Sequence, residues 1–343
     1  MNLSEIKYSL LDLVPVTEGN SIQQSFQNSI DLAQKAEEFG FERFWISEHH
    51  NMESIASSAT VVLLGLIAGK TSKIRVGSGG IMLPNHAPLV VAEQFGTLET
   101  LYAGRMDLGL GRAPGTDQKT AMALRRSRQE TVNDFPNDIQ EIQQFFSAEN
   151  KNASVRAIPG EGLDIPIYVL GSSTFSAHLA ASLGLPYAFA SHFAPTHLHE
   201  ALKIYHENFK PSKQLQKPYT IACVNVIAAE TDEEAEYLAT SQKLFALGII
   251  RGQRKPMPAP VKTMNGLWND AEKAALQQMW HYTFVGSEET IKQKLEEFID
   301  STQVNELMTV SHIHNHEARI KSYEILSQLK TPKNPFFDSE NPK

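Results

Sequence analysis

A chain of 343 residues, 41% hydrophobic and 20% charged, has material for one large α/β barrel or two ordinary domains, and its composition is that of a soluble globular protein. A formal net charge of −8 argues against a nucleic-acid surface, and the single cysteine, Cys223, excludes an internal disulfide and any multi-thiolate metal centre. No basic leader with a long apolar core opens the chain, and its longest apolar stretch, residues 60–68, is too short to span a bilayer; a cytoplasmic protein that engages neither membrane nor nucleic acid is expected.

Residues 6–13 carry the alternating apolar set of a first strand. Residues 21–39 show helical spacing (Ile22, Phe26, Ile30, Ala33, Ala36), closed by Gly40. A second strand, 44–47, ends in Glu48-His49-His50-Asn51. A helix of small and aliphatic residues follows over 57–70. The third strand, 74–83, is interrupted by Gly77, Gly79 and Gly80, which mark a bulge or a ligand lying against the backbone. A helix over 88–102 has Gly104 as its expected cap, and the strand 106–110 ends in Gly111-Arg112-Ala113-Pro114-Gly115.

Residues 116–146 read as a polar helix, with Arg125-Arg126-Ser127-Arg128 on a solvated face, and 147–165 as an irregular excursion. A fifth strand, 166–170, runs into Gly171-Ser172-Ser173-Thr174 and a helix over 175–183. Strands over 187–190 and 219–228 and a helix over 232–245 come next. The segment 248–268 combines Arg251, Arg254 and Lys255 with Pro256, Pro258 and Pro260; a loop of that length after a strand suggests an active-site lid. Gly286-Ser287-Glu288-Glu289 starts another helix, 306–310 is a last strand, 317–329 a closing helix, and the tail 331–343 is expected to fray.

Eight strands alternating with helices predict a (β/α)8 TIM barrel, a single domain over 1–330 with insertions after strands 4 and 7. The alternative is an open doubly wound sheet, against which the first strand is followed by no G-x-G-x-x-G. In a barrel the residues past the strand ends share one mouth: Glu48, His49, His50, Gly79, Gly80, His86, Arg112, Ser172, Ser173, Ser191, His192 and His312. Such hydroxyls, glycines and imidazoles suit a polar cofactor and proton transfer. Arg112 offers a fork of donors to a phosphate or carboxylate, or is a surface arginine in a turn. Adjacent on a strand, His49 and His50 point to opposite faces and do not share a metal; His49 is core filler or a base active near neutral pH. Gly171-Ser172-Ser173 is a phosphate-binding turn or a plain helix cap.

The run GRMDLGLGRAPG, preceded by AEQFGTLETLY, resembles the bacterial luciferase-like superfamily of flavin-dependent monooxygenases, in its single-chain oxidoreductase group. The resemblance covers nearly the whole chain, most specifically residues 39–115 and 166–193. It implies an active-site histidine at His49 and a non-prolyl cis peptide at Gly79–Gly80 against the flavin ring. It also implies an FMN phosphate held by Arg112 with Gly171, Ser172 and Ser173; no metal is expected, because the spacing of carboxylates and histidines offers no convincing ligand set. Reduced FMN would come from a separate reductase, and dioxygen would be used on a small organic substrate. A homodimer would form through the helices over 57–70 and 89–102. Hydride transfer with deazaflavin F420 and a flavin-binding protein without turnover are the alternatives. The chain departs from the luciferase catalytic subunit at Gly111, where that subunit has a cysteine, and in the lid 248–268.

Overall fold

The computed structural model describes residues 3–113, 115–124 and 134–329. Within them lie the strands β1 (Lys7–Asp12), β2 (Arg43–Ile46), β3 (Arg75–Ser78), β4 (Ile81–Met82) and β5 (Met106–Gly111). These are followed by β6 (Ile167–Gly171), β7 (Tyr187–Phe189), β8 (Thr220–Ala228), β9 (Thr283–Gly286) and β10 (Glu306–Val310). All pairings are parallel, in the order β10-β1-β2-β3-β5-β6-β7-β8, and β8 pairs back with β10. That last ladder, Glu306↔Ile221 to Val310↔Asn225, closes the sheet into an eight-stranded barrel and removes the open-sheet alternative.

Helices α1 (Ile22–Glu38), α2 (Thr60–Lys70) and α3 (Pro88–Leu101) wrap the first strands, and α6 (Thr174–Leu183) and α7 (Leu198–Asn208) the middle ones. The two insertions fall where expected. One, between β5 and β6, carries α4 (Gln118–Leu124) and α5 (Phe135–Phe146). The other, between β8 and β10, carries α8 (Asp232–Ile250), α9 (Asp270–Met279), β9 and α10 (Glu288–Thr302) before the closing α11 (His316–Gln328).

Strand alternation sorts the side chains. Leu11, Trp45, Tyr168, Ala188, Cys223, Met308 and Val310 cluster inside the barrel, while Tyr8, Leu10, Phe44, Ile46 and Val76 join the larger core under the helices. The N-terminal end of the barrel is plugged by charge. Arg43 donates to both carboxylate oxygens of Glu306 and to Asp107, and Arg75 also pairs with Asp107. Trp45 Nε1 donates to Asp107, and the Tyr219 hydroxyl to Glu306. Two acids thus face two guanidiniums with every carboxylate oxygen engaged, which makes buried charge tolerable.

Several boundaries differ from the sequence expectation. The third strand is two pieces, β3 and β4, with the cis peptide Gly79–Gly80 between them and a 3-10 turn over Leu83–Asn85 after them. Gly104 lies two residues beyond the α3 cap, Tyr102; at φ +77° it turns the chain into β5 while its N–H donates to Glu99. The polar helix expected over 116–146 is α4 and α5; the cluster Arg125-Arg126-Ser127-Arg128 and the tail 331–343 lie outside the described residues. Three elements were not anticipated: α7, α9 and β9, the last pairing with the C-terminal half of β8 (Asn225↔Thr283 to Ala228↔Gly286).

Candidate active site

The inward set of each strand, continued past its C-terminal end, reaches His49 after β2, His192 after β7 and His312 after β10. All three imidazoles are uncharged at neutral pH. Burial pushes His192 down to about 3, with His312 and His49 close enough to oppose its charge further. Burial likewise lowers His312 to about 4, and the Arg319 guanidinium adds to the effect. Burial also lowers His49, against the carbonyl of Gly115 and the carboxylate of Glu48, which favour its protonated form. Nδ1 of His49 lies 3.3 Å from the Gly115 carbonyl oxygen. A carbonyl only accepts, so Nδ1 carries the proton and Nε2 keeps its lone pair.

Glu48 organises the histidines around it. Nearly inaccessible, it accepts from His50 Nε2 and His86 Nε2, both at 2.8 Å, and from the Met82 N–H at 3.1 Å. Burial opposes its charge, yet these donors hold its carboxyl below the usual range. The expected mouth is therefore smaller than the sequence suggests. His50 and His86 face Glu48, and the Ser191 hydroxyl is spent on the Cys223 carbonyl at 2.6 Å. Among the described residues no group of three His, Cys, Asp or Glu is arranged to hold a metal ion.

Arg112, the residue after β5, lays its guanidinium carbon 4.2 Å above the ring of Phe175 in the first turn of α6. Among the described residues no carboxylate pairs with it. Ser173, the N-cap of α6, makes no side-chain cap hydrogen bond, so the first-turn N–H groups are uncapped beside the guanidinium. Gly171 is required for this turn, since a Cβ there would stand 1.9 Å from Ser176 Oγ. Arg112 thus stands at the start of α6, the helix that the Gly171-Ser172-Ser173 turn leads into. Gly79, at the cis bond, is half-buried, and Gly80 is buried. A Cβ on Gly109 would fall 2.1 Å from the Ser78 carbonyl oxygen and one on Gly80 2.7 Å from that of Gly109, so β3 and β5 approach through bare backbone.

The segment after α8 closes over one side of this mouth. Met257 is buried and bridges to Thr17: its N–H donates to Val16, and its carbonyl accepts from Glu18. The Ser241 hydroxyl donates to the Pro258 carbonyl and Arg254 reaches Asp117 at 3.3 Å. Beneath it is a cavity of about 710 Å³ bordered by His49, Phe26, Met52, Ile55, Arg254 and Lys255.

Phe175, Gly109 and the Glu48 clamp escaped the sequence reading. The pairs Gly77-x-Gly79 and Gly109-x-Gly111 carry a usable signal, because glycine repeating at period two on facing strands marks one bare face. Nothing in the sequence marks Phe175 as the platform for Arg112, since the contact joins two distant loops.

Parallel closure with polar residues gathered past the strand ends defines a (β/α)8 barrel whose chemistry belongs to its C-terminal mouth. The chain belongs to the luciferase-like monooxygenase family, matched over residues 6–305, whose members are oxidoreductases. It is 52% identical to the Bacillus subtilis protein YvbT over 94% of this chain and 96% of that one. It is 48% identical to a luciferase-like monooxygenase of Escherichia coli (95% and 97% covered) and 33% identical to the Bacillus subtilis N-acetyl-S-alkylcysteine monooxygenase (94% and 97% covered). Among solved structures, apo-MsnO8 superposes with a TM-score of 0.86 at 33% identity, covering 96% of this chain and 100% of that one. At 18% identity the FMN-bound oxygenating constituent of 3,6-diketocamphane monooxygenase from Pseudomonas putida shares the fold (TM-score 0.71, 96% and 99% covered). At 13% an F420-dependent secondary alcohol dehydrogenase does so too (TM-score 0.66, 96% and 100% covered). No helix among the described residues is long and apolar enough to cross a membrane.

Proposed function

We propose that this protein is a cytoplasmic FMN-dependent monooxygenase, which receives reduced FMN from a separate reductase and uses dioxygen to oxidise a small organic substrate. Arg112 carries the assignment. An arginine without a carboxylate partner among the described residues, stacked on Phe175 at the uncapped start of α6, is a seat for a phosphate, which would meet a planar donor fork and first-turn N–H groups together. Gly171, Ser172 and Ser173 would complete that seat, and the half-buried Gly79, with the buried Gly80 behind it, would lie against the ring. Nδ1 of His192, buried without a partner among the described residues, is a polar atom that a bound heteroaromatic ring would satisfy.

When bound, the reduced flavin supplies electrons and reacts with dioxygen; the protein supplies position and environment. Arg112 holds the phosphate end, the lid keeps water from the mouth, and Nε2 of His49 accepts a proton there. The likeness to the N-acetyl-S-alkylcysteine monooxygenase and to the FMN-bound diketocamphane enzyme supports oxygen chemistry and FMN in the same reading. The exposed apolar residues Val62, Leu66, Val90 and Leu101 of α2 and α3 are assigned to a homodimer contact.

The test is to reduce FMN anaerobically, mix it with the protein, add air-saturated buffer and follow flavin absorbance in a stopped flow. Reoxidation that departs from the free-flavin time course, with a lag, is expected. Tight binding at an unchanged rate of reoxidation would make the protein a flavin carrier. Absence of FMN binding would overturn the assignment, and F420 would be the next cofactor to titrate.

A further inference from the structure

The cavity beside His49 has a composition that flavin binding leaves unused. Its apolar lining is Ile22 and Phe26 from α1 with Met52, Ile55 and Ala56 from the loop after β2. Its polar lining includes Arg254 and Lys255 from the lid, against one acid, Glu53. The whole lid, residues 248–268, contains Arg251, Arg254, Lys255 and Lys262 and no acidic residue, in a chain of net charge −8. This local reversal of sign sits over the mouth.

The cations are not equally occupied. Arg251 is committed to Glu272 through two hydrogen bonds, at 2.8 and 3.0 Å. Arg254 gives one nitrogen, Nη1, to Asp117 at 3.3 Å, and the rest of its fork has no partner among the described residues. Among the described residues Lys255 has no ion-pair partner. The backbone ladder of Met257 to Val16 and Glu18 fixes these two cations relative to the loop after β1, so they are held in place at the cavity. A volume of about 710 Å³ is that of a small-molecule site. An apolar wall with a cationic rim complements a ligand with one anionic head and one apolar chain. A neutral hydrocarbon would leave the cations unused, and a polyanion would find no second cationic cluster along the wall.

We propose that the substrate class of this mouth is a small amphiphilic monoanion, a carboxylate or sulfonate bearing an alkyl chain, its head held by Lys255 and Arg254 and its chain lying on Phe26, Met52 and Ile55 toward His49. This substrate class deepens the monooxygenase reading and rests on it. Electrostatic attraction by the lid also steers such a ligand to the mouth, an effect that weakens with salt.

Hexanoate, hexane-1-sulfonate, hexan-1-ol and hexylammonium, titrated calorimetrically into the full chain, test it without turnover. Both anions are expected to bind about tenfold or more tightly than the alcohol, with hexylammonium weakest, and added sodium chloride is expected to narrow the gap. Lys255→Met and Arg254→Met, both at exposed positions, are expected to bring the anions toward the alcohol's affinity. Equal affinity for hexanoate and hexanol, or a preference that survives in both variants, would overturn the proposal. FMN titrated into the same three proteins separates the two readings. Loss of anion preference with FMN binding intact sinks only the substrate class, while anion preference without FMN binding sinks the cofactor assignment and its use of this site.

Discussion

At the mouth of the barrel, protonation is set by burial more than by partners. His49 keeps its Nε2 lone pair because Nδ1–H is turned to the Gly115 carbonyl, and its pKa lies below 6.5 chiefly because charge there is poorly solvated. As the proposed base His49 acts in its neutral form, so activity is expected to rise with pH through its pKa, with that limb displaced to the acid side of 6.5. In the wild type, the acid limb of kcat/KM is therefore expected below pH 6.5. His49→Ala is expected to lower kcat by about 100-fold or more with FMN affinity unchanged. An acid limb at or above 6.5, or a His49→Ala enzyme with normal turnover, would remove His49 as the base. The sequence made His49 visible because a strand end in a barrel is a place for chemistry. It did not reveal that its neighbours His50 and His86 are turned to Glu48, because all three histidines look equally suited to the mouth when only their positions are known.

Among the elements, the β3–β5 contact is the one that side chains would destroy. Gly109 lies against the Ser78 carbonyl so closely that a Cβ would meet main chain at 2.1 Å, and main chain cannot rotate away. Gly109→Ala is expected to part the two strands and destabilise the protein by about 3 kcal/mol, a fall in Tm of roughly 5–10 °C. Gly65→Ala is the control. Its Cβ would meet only Leu98 Cδ2 at 3.4 Å inside α2, where alanine is the better helix former, so Tm is expected to hold or rise. Equal effects of the two substitutions in thermal unfolding would mean that the approach of β3 to β5 is not what these glycines serve. Strands such as 106–110 and 219–228 could be read because their apolar runs are long enough to be distinctive. β9 could not: Thr283–Gly286 is four residues that end in the glycine read as the start of α10, and its pairing with β8 is purely tertiary. The Asn269–Glu272 capping box that starts α9 was legible in principle, as a cap with its acid three residues later.

The whole molecule divides into a structural end and a chemical end. The N-terminal end of the barrel is locked by Arg43, Glu306, Asp107 and Arg75, whose charges cancel among themselves; at the C-terminal end Arg112 and Lys255 have no carboxylate partner among the described residues. The barrel as such was legible from the alternation of strands and helices, but its closure depends on the ladder between β8 and β10, residues some 80 positions apart that no local pattern links. Several apolar side chains of the outer helical ring also remain exposed. Val62 is 72% exposed on α2 and Leu101 65% on α3, with Val90 and Leu66 half as open or a little more, and α2 has no charged residue before Lys70. A monomer would leave these side chains in water, and a second copy of the chain, related by a two-fold axis, is proposed to cover them. Sedimentation at micromolar concentration is expected to show a dimer. Val62→Lys combined with Leu101→Lys is expected to give a monomer, since each copy would then bury two unpaired ammonium groups at the contact. Because both positions face solvent within the subunit, the double variant is expected to retain its Tm apart from what the dimer contributes, and a wild type that sediments as a monomer would leave this apolar face without the role assigned to it.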